Sequence, residues 1–144
     1  MIYSIGYQAI TVDELLSIMA AKGIDRMVDI RSSPYSRWEK KYEFNRNRMS
    51  ARLGDRYVWK GDMLGGKPGP ASDEGLDWLV SQTDNVVIVC MEAAPRKCHR
   101  FQDVGKRLLA RGIEVHHIID NGRTVVTTSR LIQVEAEEAA SELF

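Results

Sequence analysis

Residues 86–100, VVIVCMEAAPRKCHR, decide the fold. The unbroken apolar run Val86, Val87, Ile88, Val89 fits a central strand of a parallel sheet, covered on both faces, better than a half-exposed one. Cys98, His99 and Arg100 then lead into a helix expected at about residues 101–111, which stops at Gly112 before another strand, EVHHII. The same order of helix, glycine and strand recurs upstream. TVDELLSIMAAKG opens with a capping box, Thr11 three residues before Glu14, stops at Gly23 and precedes DRMVDI. A helix at about residues 45–53 stops at Gly54 before RYVW, and a helix at 73–82, N-capped by Ser72, precedes NVVIVCM. With IYSIG at the start, five strands alternate with helices. That order predicts an α/β fold, a three-layer Rossmann-like sandwich with a mostly parallel five-stranded sheet, in one domain over residues 1–144. TVV near the end suggests a further short strand before a C-terminal helical tail from about Ser129.

The 144 residues suffice for a core without metals or disulfides, and 44% hydrophobic with 28% charged residues is ordinary for a globular chain. A formal net charge of zero excludes a global field for a polyanion, yet residues 31–60 hold nine Lys/Arg against three acids. The segment from Leu131 onward has four Glu and no cation. No targeting peptide precedes the first strand pattern, no apolar run approaches membrane length, and two cysteines suit a reducing compartment, so a cytoplasmic protein with no membrane partner is expected.

In parallel α/β sheets ligands gather at the carboxyl ends of the strands. Four of the five loops there carry suitable chemistry. In VDIRSSPYSRW, Arg31 and Arg37 among Ser32 and Ser36 suit a phosphate or carboxylate, with Asp29 as a carboxylate or as an arginine's partner. In LGGKPG, Gly65 and Gly66 permit close approach beside Lys67. In the opening stretch, Cys98 falls at a cationic helix start, which lowers a thiol pKa. Glu92 can act as base or nucleophile, His99 can move a proton, and Arg100 can bind an anion. Cys90, Cys98 and His99 with His116 or His117 match no compact zinc spacing, so neither a metal nor another cofactor is expected. Aromatics Tyr35, Trp38, Tyr42, Phe44, Tyr57 and Trp59 interleave the basic segment, a pattern that serves either a core-filling helix or base stacking.

IGY, VDIRSSPYSR, LGG and CMEAAPRKCHR, in that order, resemble the family described as domain of unknown function 488, over about residues 2–119. Cys90, Glu92, Pro95, Cys98, His99 and Arg100 meet its Cys-x-Glu, Pro, Cys-His-Arg pattern. Asp29, Arg31, Ser32, Pro34, Ser36 and Arg37 meet its second. The resemblance implies a compact Rossmann-like fold and supplies no reaction. One departure stands out: Tyr7 and Gln8 replace the family's usual His-Ser after Ile-Gly. A fainter likeness is to rhodanese-like domains, which place a catalytic Cys directly after a strand; here Arg100 lies ten positions beyond Cys90.

Three functions follow from these residues. In the first, an enzyme binds a phosphate-bearing nucleotide or nucleic acid through Arg31, Ser32, Ser36, Arg37, Gly65, Gly66 and Arg100, with Glu92 or Asp29 reacting. In the second, Cys98 or Cys90 performs thiol transfer. In the third, the basic segment binds nucleic acid without catalysis.

Overall fold

The computed structural model describes residues 1–143. One sheet contains β1 (Ile2–Gly6), β2 (Arg26–Asp29), β3 (Tyr57–Trp59), β4 (Val86–Cys90), β5 (Val115–Ile119) and β6 (Thr124–Thr127). Their spatial order is β3-β2-β4-β1-β5-β6. Neighbouring pairs are parallel except β6, which returns antiparallel to β5. The mostly parallel α/β architecture is the one the alternation predicts, with six strands where the pattern counts five. The sixth is the TVV segment, whose residues are exposed or half-buried and therefore carry no apolar run to announce them.

β4 lies between β1 and β2, with Val86, Val87, Ile88 and Val89 fully buried. Burying each such side chain contributes about 1.5–3 kcal/mol relative to leaving it in water, so this strand anchors the sheet. The helices are α1 (Val12–Lys22), α2 (Arg46–Leu53), α3 (Gly61–Leu64), α4 (Asp73–Val80), α5 (Lys106–Ala110) and α6 (Thr128–Ser141). Both halves of the capping box at α1 form, Thr11 Oγ1 accepting from Glu14 N and Glu14 Oε1 from Thr11 N, each at 3.1 Å. Ser72 caps α4 by accepting from Gly75 N at 3.0 Å. The helix expected after residue 100 begins with a π-helical turn, Arg100–Gly105, before it continues as α5.

Two apolar layers cover the sheet. Leu15 and Met19 of α1 and Met49 and Leu53 of α2 pack in one, while Leu76 and Leu79 of α4 and Leu108 of α5 pack in the other. The chain leaving β2 thus builds a helix on one face, and the chain leaving neighbouring β4 builds one on the opposite face. Connections that diverge from adjacent parallel strands open a crevice at their carboxyl ends. Among the described residues no helix is long and apolar enough to cross a membrane.

Candidate functional site

A cavity of about 590 Å³ occupies that crevice. Arg31, Ser32, Ser36 and Arg37 reach it from the loop after β2, Gly66 and Lys67 from the turn after α3, and Cys90 and His99 from the chain after β4. Tyr7, from the end of β1, also lines it. The cavity thus has an arginine wall and a thiol wall.

The arginine wall rests on a buried ion pair. Asp29 is fully buried at the end of β2, and Arg31, two residues on, is 6% exposed. Arg31 Nε and Nη2 donate to the two Asp29 oxygens at 2.8 and 2.7 Å, a bidentate pairing, and Nη2 also donates to Phe44 O at 2.6 Å. The Tyr57 hydroxyl donates to Asp29 Oδ2 at 2.5 Å. Burial opposes the charge on Arg31, but the hydrogen bonds and charge of Asp29 outweigh it and raise its pKa. Burial, then the negative charge of Asp29, pushes the Tyr57 hydroxyl up, keeping it a donor. Arg31 lies 5.0 Å above the Tyr7 ring, which stacks on Phe44 at 4.8 Å. Tyr7 therefore forms an aromatic floor beneath the arginine. One nitrogen is left over: Arg31 Nη1 is buried with no hydrogen-bond partner among the described residues.

The thiol wall is assembled by a loop pinned from below. Tyr7 N and Gln8 N donate to Cys90 O and Met91 O, each at 2.9 Å, extending the β1–β4 pairing into the loop. This requires Gly6, because a Cβ there would lie 1.8 Å from Glu92 O. Arg100, fully buried, donates from Nη1 to Glu92 O at 2.6 Å, from Nη2 to Ala93 O at 3.2 Å and from Nε to Ser4 Oγ at 3.2 Å. A 3₁₀ turn, Pro95–Lys97, then swings the chain back so that Cys98 returns beside Cys90. The two sulfurs and a His99 ring nitrogen all lie within 4.8 Å of one another. His99 Nδ1 is 3.7 Å from Cys90 Sγ and 3.8 Å from Cys98 Sγ. The other ring nitrogen, Nε2, is 3.1 Å from Leu64 O and can only donate to that carbonyl, which leaves Nδ1 facing the sulfurs.

The charges within this trio are linked. The Cys98 thiol is held well below the usual thiol range, first by the neighbouring Cys90 and then, against burial, by His99 and the charge of Arg100. Cys90 is pushed up in turn by its bond to Cys98 and by burial. Burial opposes the His99 imidazolium, but the bond to Cys98 and its charge raise its pKa overall. The pair of thiols therefore holds one negative charge readily and a second only with difficulty. Cys90 is the sulfur that faces the cavity, while Cys98 is 4% exposed behind it.

Several expected site residues lie elsewhere. Asp29 has both oxygens engaged and is a partner for Arg31, not a free reacting carboxylate. Glu92 is half-buried outside the cavity lining, its backbone carbonyl serving Arg100. Arg100 does not reach the cavity to bind an anion, because its guanidinium is spent on backbone carbonyls and Ser4. Gly65 acts through contact: a Cβ there would lie 2.2 Å from Ser32 Oγ, and Ser32 itself holds Lys67 by bonds of 3.0 Å to its N–H and carbonyl. Ser36 Oγ accepts from Trp38 N at 3.1 Å, fixing the turn that presents Arg37. Arg37 and Lys67 are exposed and make no ion pair among the described residues.

His117 does not join the thiols: it is fully buried between Ser4 Oγ and Thr128 Oγ1, and burial with the charge of Arg100 lowers its pKa to about 3. Arg96, counted among the cations near Cys98, is instead held by Glu138 at 2.7 Å on α6. In the basic segment, Lys41 donates to Ile10 O, Arg46 stacks on Trp59 and Lys60 on Trp78. Tyr35, Trp38 and Tyr42 remain exposed. Sequence reasoning missed the roles of Tyr7 and Tyr57.

Residues 11–74 are homologous to the family described as domain of unknown function DUF488. The matched segment carries the arginine wall and the Gly65, Gly66 turn, and it ends before β4, so Cys90, Cys98 and His99 lie outside it. No curated protein and no solved structure matches the chain, and nothing among the comparisons supports the rhodanese likeness.

Proposed function

We propose that this protein is a cysteine-dependent transferase that acts on a small anionic molecule in the cavity between the two walls. The observation that carries this reading is the gathering of Cys90, Cys98 and His99 within 4.8 Å at the wall of a cation-bearing cavity. Cys90 meets the electrophilic atom of the ligand. As its sulfur bonds to that atom, its proton passes to the Cys98 sulfur, and the leaving group departs with the bonding electron pair. A proton on His99 Nδ1, beside both sulfurs, is placed to neutralise that leaving group. Arg37 and Lys67, exposed at the cavity, attract the anion, a phosphate or carboxylate.

A phosphate-bearing nucleotide is the second reading of the ligand, favoured by the exposed Tyr35 ring, which shares the cavity with Arg37 and can stack on a base. The test is alkylation of the protein in chelator by iodoacetate and by iodoacetamide, mapped to individual cysteines. Cys90 should react first, and the anionic reagent should be favoured relative to its ratio on a free thiol. Two cysteines that react only after unfolding would refute the thiol reading. A reagent ratio equal to that of a free thiol would refute the anionic ligand.

A further inference from the structure

We propose that Cys90 Sγ, Cys98 Sγ and His99 Nδ1 form a three-ligand site for a thiophilic divalent cation, zinc foremost, whose fourth position opens onto the cavity. Zinc–sulfur and zinc–nitrogen bonds of about 2.3 and 2.0–2.1 Å put tetrahedral sulfur and nitrogen ligands about 3.6 Å apart. The two sulfur–nitrogen separations here are 3.7 and 3.8 Å, within a few tenths of an ångström of that value, and all three donor atoms lie within 4.8 Å of one another. Two thiols and an imidazole form a soft donor set suited to zinc and poorly suited to magnesium or calcium.

The surroundings of His99 support the same assignment. Ligating histidines commonly donate their second N–H to a carbonyl, which fixes the tautomer and aims the free lone pair at the metal. His99 Nε2 has such a partner in Leu64 O at 3.1 Å. Glycine at position 66 keeps one side of the ring clear, since an added methyl group would come within 3.3 Å of His99 Cγ. Cys98 closes the site from the interior, while Cys90 and His99 border the cavity. Three protein ligands with one open side is the coordination that leaves room for water or for an anionic group of a ligand. The fourth ligand is not His117, whose ring nitrogens are taken by Ser4 and Thr128.

The spacing of these residues along the chain matches no compact zinc motif; the sheet end and the 3₁₀ turn supply the proximity instead. Binding the ion sends to solvent the one proton the two sulfurs share and any proton on His99 Nδ1, and no electron changes hands. Metal-bound and metal-free forms are two states of one cluster: in the first the thiols are ligands, and in the second they are nucleophiles. The metal site does not require the thiol transfer proposed above.

The test is titration of the metal-free full chain with cobalt(II) alone, followed by displacement with zinc. One equivalent should give intense thiolate-to-cobalt absorption with tetrahedral visible bands, and zinc should abolish both. Cys98→Ser and His99→Gln should each weaken zinc binding by more than about 100-fold, beyond the 10- to 100-fold typical of losing an outer-shell partner. His116→Ala, outside the cluster, should bind normally. In a second measurement, equimolar zinc should slow alkylation of Cys90 in the native protein, which needs no variant to fold. Weak octahedral cobalt spectra, or tetrahedral spectra unchanged in Cys98→Ser, would overturn the site. Reactive thiols without zinc binding would remove this proposal and leave the thiol reading. Zinc binding with inert metal-free thiols would do the reverse.

Discussion

The two walls of the cavity each rest on buried groups, Asp29 and Arg31 in one and Cys98 in the other, and behave oppositely. On the arginine wall the buried charges have short, well-aligned partners: Asp29 takes three side-chain donors from Arg31 and Tyr57, and only Arg31 Nη1 is left over. On the thiol wall the polar atoms have mainly one another, at 3.7 and 3.8 Å around His99 Nδ1. Closed hydrogen bonding makes the first wall a scaffold. The second keeps its sulfurs available for a proton, an electrophile or a metal. Burial alone does not mark a functional group; uncommitted bonding capacity does.

The contrast breaks most visibly in stability. Asp29→Asn leaves Arg31 charged and poorly compensated in the interior, and should cost about 3–5 kcal/mol in urea unfolding. Cys98→Ser, just as buried, should cost only about 1 kcal/mol. Equal losses in the two variants would erase the distinction between scaffold and reactive wall. In alkylation the order reverses: Cys98→Ser should slow Cys90 at pH 6 by at least about 10-fold, because the sulfur that takes its proton is gone.

Smaller effects sharpen the comparison. Gly66→Ala brings a methyl group within 3.3 Å of the His99 ring and should displace it, lowering Cys90 reactivity a few-fold, with a stability change of about 1 kcal/mol. A reactivity unchanged in that variant would show that the position of the His99 ring does not govern Cys90. Least of all, Arg37→Ala should leave stability within about 0.5 kcal/mol while lowering the preference for iodoacetate over iodoacetamide about two- to fivefold at low salt. That difference should fade at high salt, as screening of an exposed charge requires.

Much of this was legible in the chain. The run from Val86 to Val89, the Thr11 capping box and the Ser72 cap are local signals, and local signals survive folding. The loops bearing Arg31, Ser36, Arg37 and Gly66 were also recognisable as cavity walls, since strand order alone puts them at one end of the sheet. The use of each charge was not legible. Asp29 and Arg31 lie on one side of an extended segment, near enough to pair, but whether they pair or reach for a ligand depends on Tyr57, 28 residues away. Arg100 reads as an anion binder until the loop above it supplies two carbonyls. Cys90 and Cys98 meet only because Pro95–Lys97 turns the chain back, a tertiary fact that no ligand-spacing rule contains.

The central claim, that Cys90 and Cys98 share one readily formed negative charge beside His99, is tested most directly by the rate of Cys90 alkylation against pH in metal-free native protein. An isolated thiol, with a pKa of about 8.5, slows tenfold for each unit of pH below that value. With Cys98 held well below the ordinary thiol range by its neighbours, its thiolate persists below neutral pH. The rate should therefore stay within about threefold from pH 8 down to pH 5. A tenfold fall per unit across that range would contradict the account.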